Sequence, residues 1–263
     1  MNKSVFAGCI LSLVATAPAS AANFWDHTSY RDPAVTQPGR MEWAWDGGKR
    51  LAVGVPALVH YSEQGAPRVV VTGSDDMLRH VHFGDGSIVM DNDGGFSWNH
   101  ERLDITVTGV ALNDFVVAGS SQMLLGKLQR DSLSVLVSGS GSAEMDASVK
   151  GDTNLQVSGS GHIKFDSLQA QHLQARISGS GTIGGAGHAD DLNLNISGSG
   201  RFGDITSARA DVTISGSGQA TIAPHDEAHV HISGSGTVHM PVKPPRLETS
   251  VSGSGHVVTA SAD

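Results

Sequence analysis

Between positions 225 and 231 the chain reads His-Asp-Glu-Ala-His-Val-His. Along an extended strand, alternation puts Glu227, His229 and His231 on one face. Imidazole and carboxylate together are chemically able to hold a divalent metal. A structural zinc normally takes four ligands, and no third ligand stands at a fixed spacing, although His239 follows half a repeat later. A solvated outer face accounts for the same residues, so His229 and His231 are metal candidates only, and no metal or cofactor is expected. A second candidate pair is Asp146 and Asp166, at equal offsets in successive repeats. If the repeats stack, these carboxylates lie about 5 Å apart, the separation used by retaining glycosidases. No further carboxylate, Arg or Lys column accompanies them. Asp at such a position more often closes an Asx turn.

The third candidate is a set of serines. Ser-Gly-Ser-Gly begins at Ser138, Ser158, Ser178, Ser197, Ser215, Ser233 and Ser252. Pairs such as Ser158 and Ser160, Ser178 and Ser180, Ser197 and Ser199, and Ser215 and Ser217 would form two parallel hydroxyl columns. Such a platform suits a glycan or another repetitive surface. Small hydroxyls beside glycine also simply suit a tight exposed corner. Gly179-x-Gly181-x-x-Gly184 and Gly198-x-Gly200-x-x-Gly203 fit the dinucleotide pattern. The pattern needs a helix N-terminus to meet the phosphate, and no helical segment follows either match. No G-x-S-x-G elbow with a positioned His/Asp pair is present.

The elements that carry these residues follow from the period. Successive SGSG motifs start 20, 20, 19, 18, 18 and 19 residues apart. Each is preceded by Val or Ile: Val137, Val157, Ile177, Ile196, Ile214, Ile232 and Val251. Two residues earlier stand Val135, Leu155, Ala175, Leu194, Val212, Val230 and Thr249, with mostly polar residues between. That is period two, the mark of strands with one buried face. Through the motif, the alternation turns the serines outward and both glycines inward. Glycine inside a strand marks a bend or a close backbone approach. A helix would not tolerate this glycine density. The sequence therefore predicts an all-β fold: a parallel β-helix, or solenoid, of about 18–20 residues per rung. It is expected to be right-handed, as crossovers between parallel strands almost always are.

The motif recurs upstream in degraded form. Val117-Ala-Gly-Ser-Ser-Gln-Met123 matches with two changes, and Val71-Thr-Gly-Ser-Asp-Asp-Met77 more weakly. Asp85-Gly86 and Asp93-Gly94-Gly95 read as turns. Trp43, Trp45 and the segment FWDHTSY (24–30) are expected to cap the first rung; the far end offers only Val257-Val258-Thr259 and a polar tail. The expected organisation is a signal peptide over 1–21, an N-terminal extension and cap over 22–48, and one β-helix over 49–263. Its rungs are irregular over 49–130 and regular over 131–257.

The signal peptide is read from Lys3, the apolar run from Val5 to Ala15 and the small-residue site Ala19-Ser20-Ala21. The apolar run is too short to span a bilayer, and no later segment is apolar enough. Cys9 is the only cysteine, so no disulfide is expected. The formal net charge is −9 with Lys and Arg scattered, which argues against nucleic acid as a partner. The chain has 33 glycines and 5% aromatics, a composition that would suit disorder were the apolar spacing not so regular.

The L-x-V-x-V/I-S-G-S-G-x-I repeats from 133 to 257, with KRLAVGVPALVHY (49–61) and PRVVVTGSDDML (67–78) upstream, resemble the head GIN domain family of autotransporter adhesins. The resemblance implies an exported β-helical domain with no established catalytic residues. A self-exporting autotransporter ends in a membrane barrel of alternating strands, and only eight residues follow Gly255. The expected function is thus an exported, non-enzymatic, adhesin-like binding or structural module of the bacterial envelope, periplasmic or at the surface. Its expected partners are a glycan or an envelope protein. The alternative is a polysaccharide-cleaving enzyme on the same fold.

Overall fold

A computed structural model describes residues 30–45, 47–91 and 101–260. The signal-peptide stretch with Cys9, residues 24–29 of the aromatic segment, and the Asp93-Gly94-Gly95 turn lie outside these residues. In chain order the N-terminal elements are β1 (Val35–Gln37), β2 (Arg40–Ala44), β3 (Arg50–Val53), β4 (Ala57–Ser62), β5 (Arg68–Thr72), α1 (Asp75–Leu78), β6 (Val81–Gly84), β7 (Ser87–Met90) and β8 (Leu103–Thr108). The regular part continues as β9 (Asp114–Gly119), β10 (Gln122–Arg130), β11 (Leu133–Gly139), β12 (Ser142–Gly159), β13 (His162–Gly179), β14 (Thr182–Gly198), β15 (Arg201–Gly216), β16 (Gln219–Gly234), β17 (Thr237–Met240), β18 (Arg246–Gly253) and β19 (His256–Thr259).

From β9 onward every pairing is parallel, and each rung lies on the one before it in register. Val137 sits against Val157, then Ile177, Ile196, Ile214, Ile232 and Val251. The six members from Val137 to Ile232 are buried in one continuous core. Fully burying such an aliphatic side chain contributes about 1.5–3 kcal/mol, so this column and the equally buried ones beside it hold the stack together. Each rung is three straight segments. In β12 these are Ser142–Met145, Ala147–Val149 and Asp152–Gly159, separated by register shifts. The 20-to-18-residue variation in repeat length is absorbed at these shifts, which leaves the longest segment uniform.

The SGSG corner uses its two glycines for different reasons. Expected alternation put both inward, and this holds for the second. A Cβ on Gly161 would stand 2.5 Å from Val137 Cγ1 and 2.6 Å from the Gly141 carbonyl oxygen. The first glycine is instead the hinge of the corner. Gly159 has φ +116°, and its Cβ would point at the previous rung, 2.6 Å from Gly139 O. The backbone stays paired through the turn: Ser160 N–H donates to Gly139 O at 2.9 Å and His162 N–H to Gly141 O at 3.0 Å. The serines face outward, as the alternation requires.

The N-terminal part departs from a simple coil. Rung order there does not follow chain order. β3 and β4 form one rung, with Val53 opposite Val117 of β9 and Val59 opposite Met123 of β10. On their other side lie β7 and β8, which come later in the chain. The outermost strands run antiparallel: β8 to β5, β5 to β2, β2 to β1, and β7 to β6. They close the exposed edge that a parallel stack leaves. Val71–Met77 is therefore not a rung corner. Val71 lies in antiparallel β5, Ser74 caps α1 by accepting from Met77 N–H, and the two aspartates that follow occupy the first helical turn. Asp85 (φ 47°) and Gly86 (φ 74°) form the two-residue turn joining β6 to β7, the positive-φ pair that a type I′ hairpin requires. Trp43 and Trp45 are buried and meet Phe83 with ring centroids 6.1 and 5.4 Å apart.

The other end is open. In β18 the inward Val column loses its cover, and Val251 is 43% exposed; Val258 of β19, on the outward side, is 46% exposed. No helix among the described residues is long and apolar enough to cross a membrane.

Candidate functional site

The longest segments, Asp152–Gly159 and its equivalents through β18, make one flat face with four outward columns. The serines Ser158, Ser178, Ser197, Ser215, Ser233 and Ser252 form the column at the corner. Six residues earlier in every rung stand Asp152, His172, Asp191, Arg209, Glu227 and Arg246. Four residues before the serine stand Asn154, Gln174, Asn193, Asp211, His229 and Glu248. These last two columns line a groove of about 600 Å³ that crosses five rungs from Asp152 to Glu227. A shallower hollow of about 290 Å³ continues it toward β18 and shares Asp211 and His229.

Charges along the first column mostly alternate in sign and pair across rungs. His172 Nδ1 lies 3.0 Å from Asp191, whose other oxygen meets Arg209 Nη2 at 2.6 Å. Arg246 Nη2 lies 3.4 Å from Glu227. Such exposed pairs contribute about 0–1 kcal/mol each, so they order the side chains more than they hold the fold. Asn154 Oδ1 is buried without a hydrogen-bond partner. No Trp, Tyr or Phe side chain lines the groove.

The expected site residues fall as follows. His229 sits between two carboxylates, 3.1 Å from Glu227 and 3.2 Å from Glu248. His231 is exposed on the same face. His239 is on β17, beyond the SGSG corner and opposite Thr221. No group of three metal-ligating side chains able to hold an ion occurs among the described residues. The serines of both SGSG columns, Ser160, Ser180, Ser199 and Ser217 included, stand outward but line neither hollow of this face. Asp146 and Asp166 are neighbours one rung apart, as their offsets implied. However, Asp146 Oδ1 accepts the backbone N–H groups of Asp166 (3.2 Å) and Ser167 (3.0 Å). That oxygen closes the turn of the next rung, and both carboxylates line a small hollow of about 240 Å³ together with Glu144 and Lys164. Both Gly-x-Gly-x-x-Gly matches lie on strand corners.

Two further polar clusters sit in the N-terminal half. The buried Tyr61 hydroxyl donates to Val110 O at 2.7 Å and accepts from Leu112 N–H at 3.1 Å. Arg130 reaches the same hydroxyl, Leu112 O and Glu63. Burial pushes the Tyr61 pKa up. His80 and His82 bracket Asp91 at 2.8 and 3.0 Å. The hydrogen bond from the His82 ring is the main cause holding the Asp91 carboxyl below its ordinary range.

Fold and face together define a parallel β-solenoid with an extended polar surface along its axis. A family profile described as "Putative auto-transporter adhesin, head GIN domain" matches residues 49–244, and the chain belongs to that family. Several solved structures share the fold. A putative lipid-binding protein from Parabacteroides distasonis has a TM-score of 0.75 at 20% identity, covering 84% of this chain and 96% of its own. A putative adhesin from Parabacteroides merdae has 0.72 at 21% identity, covering 84% and 95%. A putative adhesin from Bacteroides fragilis has 0.59 at 17% identity, covering 84% and 96%. No curated protein matches.

Proposed function

We propose that this chain is an exported, non-enzymatic, adhesin-like binding module of the bacterial cell envelope, and that it engages a glycan along the long face of the solenoid. The observation that carries this is the groove from Asp152 to Glu227, where equivalent polar side chains repeat rung after rung. Ligand contacts repeated at each rung need only be weak singly, because the first tethers the chain for the next. Family membership supports the adhesin-like reading, and the N-terminal Lys3–Ala21 pattern supports export. A lipid partner is suggested by the putative lipid-binding protein from P. distasonis; Leu173, Leu192 and Ala210 do line this groove, but charged and amide side chains outnumber them, which favours a polar ligand. A polysaccharide-cleaving enzyme needs two carboxylates free for acid–base work, whereas Asp146 is engaged with backbone N–H groups.

The test is a glycan array probed with the full chain, followed by incubation with every glycan retained. Retention with no release of reducing ends is the expected result. Release that disappears in Asp146→Asn would overturn the non-enzymatic reading.

A further inference from the structure

The inference rests on the glycan reading above and names the class of chain the groove takes. The two columns that line it and their continuation onto β18 hold five carboxylates (Asp152, Asp191, Asp211, Glu227 and Glu248) against two guanidinium groups, Arg209 and Arg246. The cations are already engaged, Arg209 by Asp191 at 2.6 Å and Arg246 by Glu227 at 3.4 Å. Glu248 is engaged by His229 at 3.2 Å. Asp152 and Asp211 are different: each lines the groove, and neither side-chain carboxylate has a hydrogen bond or ion pair with another described residue.

The charge that the groove presents without a partner is therefore negative, while the amides of Asn154, Gln174 and Asn193 beside it can both donate and accept. A ligand rich in hydroxyl and amine donors satisfies it. A polyanion would meet two uncompensated carboxylates and find the arginines already neutralised, an arrangement in which like charges repel. No Trp, Tyr or Phe ring offers a stacking platform, so hydrogen bonds and charge spread over length carry the selectivity. The column from Asp152 to Arg246 makes five rung steps of roughly 4.8 Å, about 24 Å in all. Asp152 and Asp211 lie three rungs apart, so a single saccharide cannot reach both. An extended sugar chain lying along the axis repeats at close to the rung spacing and can present a donor to each.

We propose that the groove binds a linear glycan of amino sugars with free amines, laid along the solenoid axis, its ammonium and hydroxyl donors on Asp152 and Asp211. Polyuronate chains are rejected by the same two groups.

The experiment is calorimetric titration of the full chain at low ionic strength with three hexasaccharides: glucosamine, N-acetylglucosamine and galacturonate. Parallel titrations use glucosamine disaccharide and the variant Asp152→Asn/Asp211→Asn. Both substitutions are on the surface and leave the fold intact, which circular dichroism checks. The glucosamine hexamer is expected to bind at least tenfold more tightly than the acetylated hexamer and the disaccharide. Galacturonate is expected not to bind, and the double variant to lose at least tenfold toward the glucosamine hexamer. Equal affinity for the acetylated hexamer, binding of galacturonate, or an unchanged double variant would overturn the amino-sugar inference while leaving a glycan-binding face in place. Binding of none of the three chains, with retention on vesicles of anionic lipid instead, would overturn the glycan reading as well.

Discussion

Adding one methyl group at the SGSG corner should cost more than any surface change of the same size. At Gly161 the added Cβ would lie 2.5 Å from Val137 Cγ1 and 2.6 Å from Gly141 O. Ordinary van der Waals contact is 3.4–4 Å. Val137 is fully buried with its own column pressing on it, and the carbonyl belongs to the ladder, so neither can swing away. Overpacking of this kind costs about 1–3 kcal/mol, and a backbone obstacle argues for the upper end. Gly→Ala also stabilises by about 0.4–1 kcal/mol through the unfolded chain, leaving a net loss near 2 kcal/mol. Gly203 is the internal control. Its nearest neighbour to an added Cβ is Thr221 Cβ at 3.8 Å, and its φ is outside the left-handed range. Gly203→Ala should therefore be neutral or stabilising by a few tenths of a kcal/mol. Gly159→Ala should be at least as costly as Gly161→Ala, because φ +116° adds backbone strain of about 1–3 kcal/mol. Guanidinium midpoints, backed by amide exchange in the two flanking rungs, measure the three variants. If Gly161→Ala and Gly203→Ala fall within about 0.5 kcal/mol of each other, the packing argument for the corner is wrong.

Two other perturbations follow. Tyr61→Phe leaves Leu112 N–H and Val110 O without their partner in a buried loop, so it should destabilise by about 1–3 kcal/mol, measured by the same midpoints. Asp91 has its folded pKa lowered by His82 and His80. Its contribution to stability is thus complete above the ordinary carboxylate pKa and is lost as pH falls through the lower folded value. Asp91→Asn should flatten that acid limb of the melting-temperature profile and leave the shape above it unchanged; an unaltered acid limb would refute the assignment.

The regular rungs were legible because period two, the Val/Ile column and the SGSG spacing all pointed to one structure. The N-terminal part was less so. There, rung order departs from chain order: β3 and β4 lie between β7 and β8 on one side and β9 and β10 on the other. Alternation gives which residues face inward but not which strand a rung stacks on. Val71–Met77 resembles a corner because Ser74 and Gly73 are turn residues; the N-cap role of Ser74 then starts α1 instead. Ser121 shows the opposite. It takes the place of an inward glycine and is buried, its hydroxyl donating to Val55 O, because the rung beneath it has a different corner. The groove has a signal in the sequence: the residue six places before the first serine of each motif is charged or a histidine in six consecutive rungs, from Asp152 to Arg246. That the hollow lies over this column and not over the serines depends on how the rung bends, which no residue type encodes alone.

The central claim is that the rungs stack in parallel and in register, since every ligand-facing column depends on it. Paired cysteines at Ser158, Ser178 and Ser197 test it directly. Adjacent rungs place equivalent Cα atoms at about 4.8 Å, within disulfide range, whereas two rungs apart exceeds the roughly 7 Å limit. Under mild oxidation, Ser158→Cys/Ser178→Cys and Ser178→Cys/Ser197→Cys should each close an intramolecular disulfide, and Ser158→Cys/Ser197→Cys should not. Ready closure of the 158–197 pair with failure of the two neighbouring pairs would contradict the register.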